Sequence, residues 1–402
     1  MNDDNGTIRQ HDPGASYQPL AGVRVLDLTR LLPGNLCTLA LAQLGAEVIK
    51  VEDTGAGDYM RGFGRQVDGA GVCHHSVNRG KLSVTLDLKD VADRERFEAL
   101  VATADVLVES FRPGVMGRLG YDVETLHGIR PSLVIASISG YGSNGPLSQE
   151  AGHDLNYLAF SGLLDRLRPQ LGPSVGPPLP LADLVGGGLV PALLITAFVG
   201  QARQSRRGVW IDAAMAEGIA LLPHVLINDL LNGQPSTGPR SSLLDGGLAC
   251  YGTYALTDGQ VAIASLEIKF WLTVCDLVGG LDDYRGKHED PASQPAIRRR
   301  LTEYFLGRSR ADIEAVFGGR DACVTVVRSY EEMLESDQAK ARDFLVDHPD
   351  LPVPVLAFPA MVDGRRLAER GPAPAHGEHN SHVFGALGLE REPVPARPRE
   401  AS

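Results

Sequence analysis

Along the N-terminal part of the chain, short apolar, β-branched runs alternate with longer stretches of helical character. Val23 to Leu28 reads as a buried parallel strand, preceded by Gly22. The run from Asn35 to Leu44 predicts a helix with Asn35 as N-cap and Gly45 as its stop. Glu47 to Val51 and Leu82 to Leu86 then read as strands, Asp90 to Ala104 as a helix, and Val106 to Glu109 and Val134 to Ser137 as further strands. This alternation predicts a parallel sheet wound right-handedly, with ligands at the carboxyl ends of its strands. A second group runs from about Tyr251 to Val327, with a strand at Val261 to Ala264 and a helix at Lys269 to Val278. Between the two groups, Asp212 to Asn232 reads as a long helix followed by the linker-like GQPSTGPRSS. The last forty residues read mostly as a surface-running tail. Leu184 to Gly200 is uncharged and mostly apolar, near the lower limit of a membrane span. A glycine run and Pro191 interrupt it, so it reads as a buried core helix.

Composition changes this picture little, but charge constrains the ligand. With 402 residues, 43% hydrophobic and 22% charged, the chain is an ordinary globular one. A formal net charge of −12 argues against nucleic-acid or anionic-membrane partners. Any anionic ligand then requires a local basic patch. Five scattered cysteines and a polar first segment without an apolar core point to a reducing, cytoplasmic setting. No G-x-G-x-x-G follows the first strand, which excludes promoting the fold to a dehydrogenase. Walker A, H-E-x-x-H and G-x-S-x-G motifs are absent as well. Cys73-His74-His75 has no second ligand pair at metal-site spacing, and the HGEHNSH stretch with His376, His379 and His382 lies in a Pro/Ala-rich tail that reads as lacking a folded scaffold, so no metal is expected.

Three segments carry candidate chemistry. They are Gly152-His153-Asp154-Leu155-Asn156-Tyr157, Asp183 ahead of Gly186-Gly187-Gly188, and Glu267 at the end of a predicted strand. Singly, each has a structural reading, such as a His-Asp hydrogen bond or a helix cap. Together they fit removal of a proton beside a thioester carbonyl, which needs a base, an acid and donors to the enolate oxygen. A neutral His serves as base near neutral pH, and a carboxylate set among apolar groups has a raised pKa and can return the proton.

The motifs PLAGVRVLDLTRLLPG, LAQLGAEVIKVE, GDYMRG, NRGKLSVTLDLK, ADVLVESFRPGVMGRLGYD and ASISGYGSNGP resemble, in order, the family III CoA-transferases, or CaiB–BaiF family. GHDLNY, LDGGLACYGTY, ASLEIKFW and RDACVTVV resemble its α-methylacyl-CoA racemase branch, and PAPAHGEH is similar to the closing motif. Asp53 to Val77 is long, as in the transferases. The resemblance implies an α/β fold, with a large doubly wound Rossmann-like CoA-binding domain plus a smaller α+β domain in an interlocked homodimer. Residues 19–212 would form the first part of the large domain, 213–248 a helical linker, 249–333 the small domain and 334–390 the return. Residues 1–18 and 391–402 would be flexible termini. It further implies that Asp183 is the shared catalytic aspartate, nucleophile in a transferase and acid/base in a racemase. His153 and Glu267 match the racemase histidine and its glutamate partner, and the backbone N–H of Asp154 would donate to the oxyanion. Arg61, Arg79, Lys81 and Arg112 fall in loops near predicted strand ends, where they would meet the phosphates of coenzyme A, and Arg61 and Arg112 also match the family. Coenzyme A enters as part of the substrate, with no permanently bound cofactor. The expected activity is α-proton transfer on a 2-methylacyl-CoA. The alternatives are CoA transfer to a carboxylic acid through an Asp183 acyl anhydride, or acyl-CoA binding without catalysis.

Overall fold

The computed structural model describes residues 17–167, 173–234, 238, 242–347 and 349–389. The chain divides into two units. The first comprises Met1–Leu158, Leu179–Ile219 and Ala341–Ser402, and the second Ala159–Pro178 and Ala220–Lys340.

The first unit is built on six parallel strands: β1 (Arg24–Leu28), β2 (Glu47–Glu52), β3 (Leu82–Thr85), β4 (Val106–Glu109), β5 (Val134–Ser139) and β6 (Val209–Ala214). Their spatial order is β3-β2-β1-β4-β5-β6. That is the doubly wound arrangement, with the winding reversing between β1 and β4. Strand alternation sorts the two faces. Leu26, Leu28, Ile49, Val84 and Leu107 bury against Phe97, Leu100 and Val101 of the helix Val91–Thr103. The intervening Asp27 points to the other face, where it meets Thr38 of α1 (Leu31–Gln43).

Helix α1 begins at Leu31, four residues before the expected N-cap. Asn35 lies inside it because its amide is used elsewhere, donating to Asp58 at 2.6 Å and accepting from Lys50 at 2.7 Å. Gly45 does stop the helix, at φ +105°. The expected long helix from Asp212 to Asn232 is replaced by β6 and two short helices, Met215–Ala220 and His224–Leu231. Pairing with β5, from Val134↔Val209 to Ser139↔Ala214, decides in favour of a strand for Asp212 to Ala214.

The C-terminal region also departs from a surface tail. Helix Asn380–Ala386 buries Val383 and Phe384 in the sheet core. Just before it, the chain caps the edge strand β3. The His379 amide donates to Ser83 O at 2.9 Å, while Ser83 and Thr85 amides donate to His379 Nδ1 and Asn380 Oδ1. An open edge would be a template for aggregation.

The apolar run forms a π-helical segment, Ala182–Leu189, continuing as the α-helix Val190–Ser205. It is not buried all round as expected. Pro191, Ala192, Ile195, Val199 and Ala202 face inward, whereas Leu189 and Leu193 are exposed. By length and composition alone, this helix is long and apolar enough to cross a membrane. The glycine run has a packing cause. A Cβ on Gly186 would stand 2.4 Å from Met215 O, and one on Gly187 2.5 Å from Pro33 Cβ. Gly186→Ala is therefore expected to cost about 2–3 kcal/mol, because backbone must shift to admit the methyl. Equilibrium urea unfolding measures it, and an unchanged midpoint would contradict this packing.

The second unit centres on a three-stranded antiparallel sheet of Tyr251–Ala255, Gln260–Ala264 and Val324–Val326, with Gln260–Ala264 in the middle. Trp271 of the helix Ile268–Val278 packs in its core with Ile297, Leu301 and Phe305.

Candidate active site

A cavity of about 810 Å³ opens over the carboxyl ends of the strands in the first unit. Its walls include Arg30 after β1, Phe111 and Arg112 after β4, Gly140 and Tyr141 after β5, and Met215 after β6. This is the reversal point of the sheet, where doubly wound folds bind their ligands.

His153 and Asp183 both line this cavity. His153 immediately precedes a short helix, α2 (Asp154–Phe160). Its main chain is fixed by Asn156, whose Oδ1 accepts from the His153 amide at 3.0 Å while its own amide donates to His153 O at 2.8 Å. Tyr157 donates to Gly152 O at 2.6 Å, and its ring meets Tyr141 edge-on at 5.2 Å. A Cβ on Gly140 or Gly152 would stand 2.5 or 2.8 Å from that ring. The glycines thus admit the tyrosine that locks the two loops together.

Asp154 has a role that the sequence did not announce. Its carboxylate accepts from the amides of Ala182 and Asp183 at 2.6 and 3.1 Å. One side chain therefore ties the segment bearing His153 to the segment bearing Asp183. Burial pushes the Asp183 carboxyl up to about 6, the Asp154 charge adds to the rise, and His153 draws it down. Asp183 can accordingly hold or release a proton near neutral pH.

The expected phosphate patch is divided by the structure. Arg112 lines the cavity. Arg61 instead grips Glu52 through two nitrogens, at 2.8 and 2.6 Å, and donates to Pro374 O. Arg79 is buried against Glu369 at 2.8 Å and donates to Leu356 O. Lys81 is buried, with Nζ donating to Asp27, Asn35 O, Thr38 and Asn78. These three groups serve internal pairs and are absent from the lining of this cavity. Arg30 was missed. It lies over the rings of Tyr59 at 5.6 Å and Phe111 at 5.8 Å and pairs with Asp53. Its one sequence signal is its place in the loop after the first strand.

Glu267 belongs to the second unit, exposed at the N-terminal edge of the helix Ile268–Val278. His376 and His379 are engaged with Asp53 O and the Ser83 amide, and no His, Cys, Asp or Glu cluster among the described residues could hold a metal.

The model described as CoA-transferase family III matches residues 20–380. The chain belongs to that family. Among its relatives, α-methylacyl-CoA racemase of Mus musculus is 34% identical over 93% of this chain and 95% of its own length. Succinyl-CoA:glutarate CoA-transferase of Homo sapiens is 29% identical over 92% of this chain and 86% of its own. The crystal structure of a CAIB/BAIF family protein from Brucella suis superposes with a TM-score of 0.80. It is 27% identical, with 92% of this chain and all of the other covered.

In this family III site, Asp154→Asn preserves an acceptor for the two amides but removes the charge beside Asp183. The titration profile of the Asp183 carboxyl, followed by NMR, is expected to move to lower pH. The direction follows because a like charge no longer favours the protonated form. A profile that stays in place would contradict the coupling.

Proposed function

We propose that the chain is an acyl-CoA racemase acting at the α-carbon of a 2-methylacyl thioester. The observation that carries this reading is one cavity lined by both His153 and Asp183, with the Asp183 carboxyl held near pH 6. Neutral His153 removes the α-proton, and the C–H electron pair moves into the thioester carbonyl to form an enolate. Protonated Asp183 then delivers its proton to the opposite face of that carbon, leaving imidazolium and carboxylate. The same pair with its protons exchanged runs the reverse direction, so each face has an acid and a base. Enolate stabilisation would come from the Asp154 amide at the start of α2. Glu267 is the proposed hydrogen-bond partner that orients His153, and the working form is proposed to be a homodimer.

A second reading rests on the transferase relative and on Asp183 as a carboxylate that could attack the thioester carbon, expelling the CoA thiolate and leaving an acyl anhydride. The two separate on His153. Single-enantiomer 2-methylacyl-CoA, followed by chiral chromatography, should racemise with the wild type and cease to do so with His153→Gln, falling by about a thousandfold. Ping-pong exchange of CoA with a free carboxylate that survives His153→Gln would instead establish the transferase. Binding of acyl-CoA with neither reaction would leave a non-catalytic binder.

A further inference from the structure

The turn between β1 and α1, which forms one wall of the cavity, is held by buried Asp27 and Lys50 and half-buried Ser110. Thr29 N donates to Asp27, Thr29 O accepts from Lys50, and Arg30 N donates to Ser110. Leu31 stands at φ +62°, a left-handed conformation that costs a branched side chain free energy and persists only where its surroundings enforce it. The enforcing contact comes from Asp58. Oδ1 of buried Asp58 accepts from Leu31 N at 3.0 Å and also from Met60 N at 3.0 Å. Its other oxygen meets Lys50 Nζ at 2.8 Å and Asn35 Nδ2 at 2.6 Å. A single oxygen therefore bridges two segments that are far apart in sequence. Arg30 comes from one and Tyr59 from the other, and the guanidinium lies over the phenol ring at the cavity wall.

We propose that Asp58 is a positioning residue for the ligand: by clamping Leu31 N and Met60 N together, it sets Arg30 and Tyr59 to receive the anionic part of an acyl-CoA. The proposal rests on the reading that this cavity takes an acyl-CoA, and it adds a residue that does not touch the ligand itself. Lys50 neutralises the clamp and keeps its carboxylate in place from beneath. The strained turn is then maintained before the ligand arrives, which spares the binding step the cost of ordering it.

The test measures the Kd of a 2-methylacyl-CoA by titration calorimetry, with its turnover at saturation, on folded wild type, Asp58→Ala, Asp58→Asn and Leu31→Pro. Asp58→Ala removes the clamp and is expected to raise Kd about tenfold while turnover at saturation stays within about threefold. Asp58→Asn retains the bridging oxygen but turns an amide donor toward the donors Lys50 and Asn35, so it should weaken binding by a smaller factor than Asp58→Ala. Leu31→Pro leaves the Asp58–Lys50 pair intact, yet it abolishes the N–H and fixes φ near −65°, which the first turn of a helix tolerates. It should weaken binding as Asp58→Ala does, and it supplies the readout if the alanine variant does not fold. Wild-type affinity in Leu31→Pro, or equal losses in Asp58→Asn and Asp58→Ala, would overturn the clamp. A role confined to stability would lower the folded fraction and leave Kd unchanged. A wild type that binds no acyl-CoA would overturn the reading of the cavity itself.

Discussion

Asp183→Asn should lower α-proton exchange by about a thousandfold or more while leaving acyl-CoA affinity within about threefold. An amide neither gives nor takes a proton at neutral pH, and it cannot form an acyl anhydride. The substitution leaves the surroundings in place, because Asp154 holds the segment through the main-chain amides of Ala182 and Asp183 and not through the Asp183 side chain. Loss of turnover without loss of binding is thus the expected signature, and transfer activity should vanish with it. Residual exchange within tenfold of wild type would remove Asp183 from the chemistry.

Lys81→Met should cost about 3–5 kcal/mol of stability, the penalty for removing one partner of a buried ion pair. The methionine side chain replaces the apolar stem of the lysine. It leaves Asp27 with its hydroxyl donors, Thr29 at 2.6 Å and Thr38 at 2.6 Å, and with Lys50 at a longer 3.8 Å. Burial alone would push the Asp27 carboxyl up, yet Lys50, Lys81 and the two hydroxyls hold it below its ordinary value, so it remains ionised. The midpoint of urea unfolding should fall while its slope is preserved. Unchanged stability with lost affinity for acyl-CoA would contradict this and return Lys81 to the phosphate-binding role that sequence suggested.

Lys81, buried among internal partners, shows where sequence reasoning stops. Basic residues near strand ends look alike in sequence whether they meet a ligand or a buried acid. Arg79 finds Glu369 nearly three hundred positions away, and Arg61 finds Glu52 across a turn, so no local pattern distinguishes them from Arg112. Strands β1, β2, β4 and β5 were legible because a parallel sheet buried on both faces demands continuous β-branched runs. Strand β6 was missed because the apolar stretch that follows its last residues also fits a helix, and only pairing with β5 decides between them. Asn35 had the right chemistry for an N-cap, but Lys50 and Asp58 claimed it. The site itself was legible in part. His153 and Asp183 stood out by type and neighbours, whereas the carboxylate tether of Asp154 and the clamp of Asp58 depend on distances that spacing along the chain does not encode.

The central claim is movement of the α-proton, and isotope exchange tests it most directly. Incubation of a 2-methylacyl-CoA with the protein in heavy water, followed by mass spectrometry, is predicted to show one deuteron at the α-carbon in both enantiomers. That incorporation should be lost in His153→Gln and in Asp183→Asn. Rapid transfer of CoA to a free carboxylate with no deuterium at the α-carbon would contradict it.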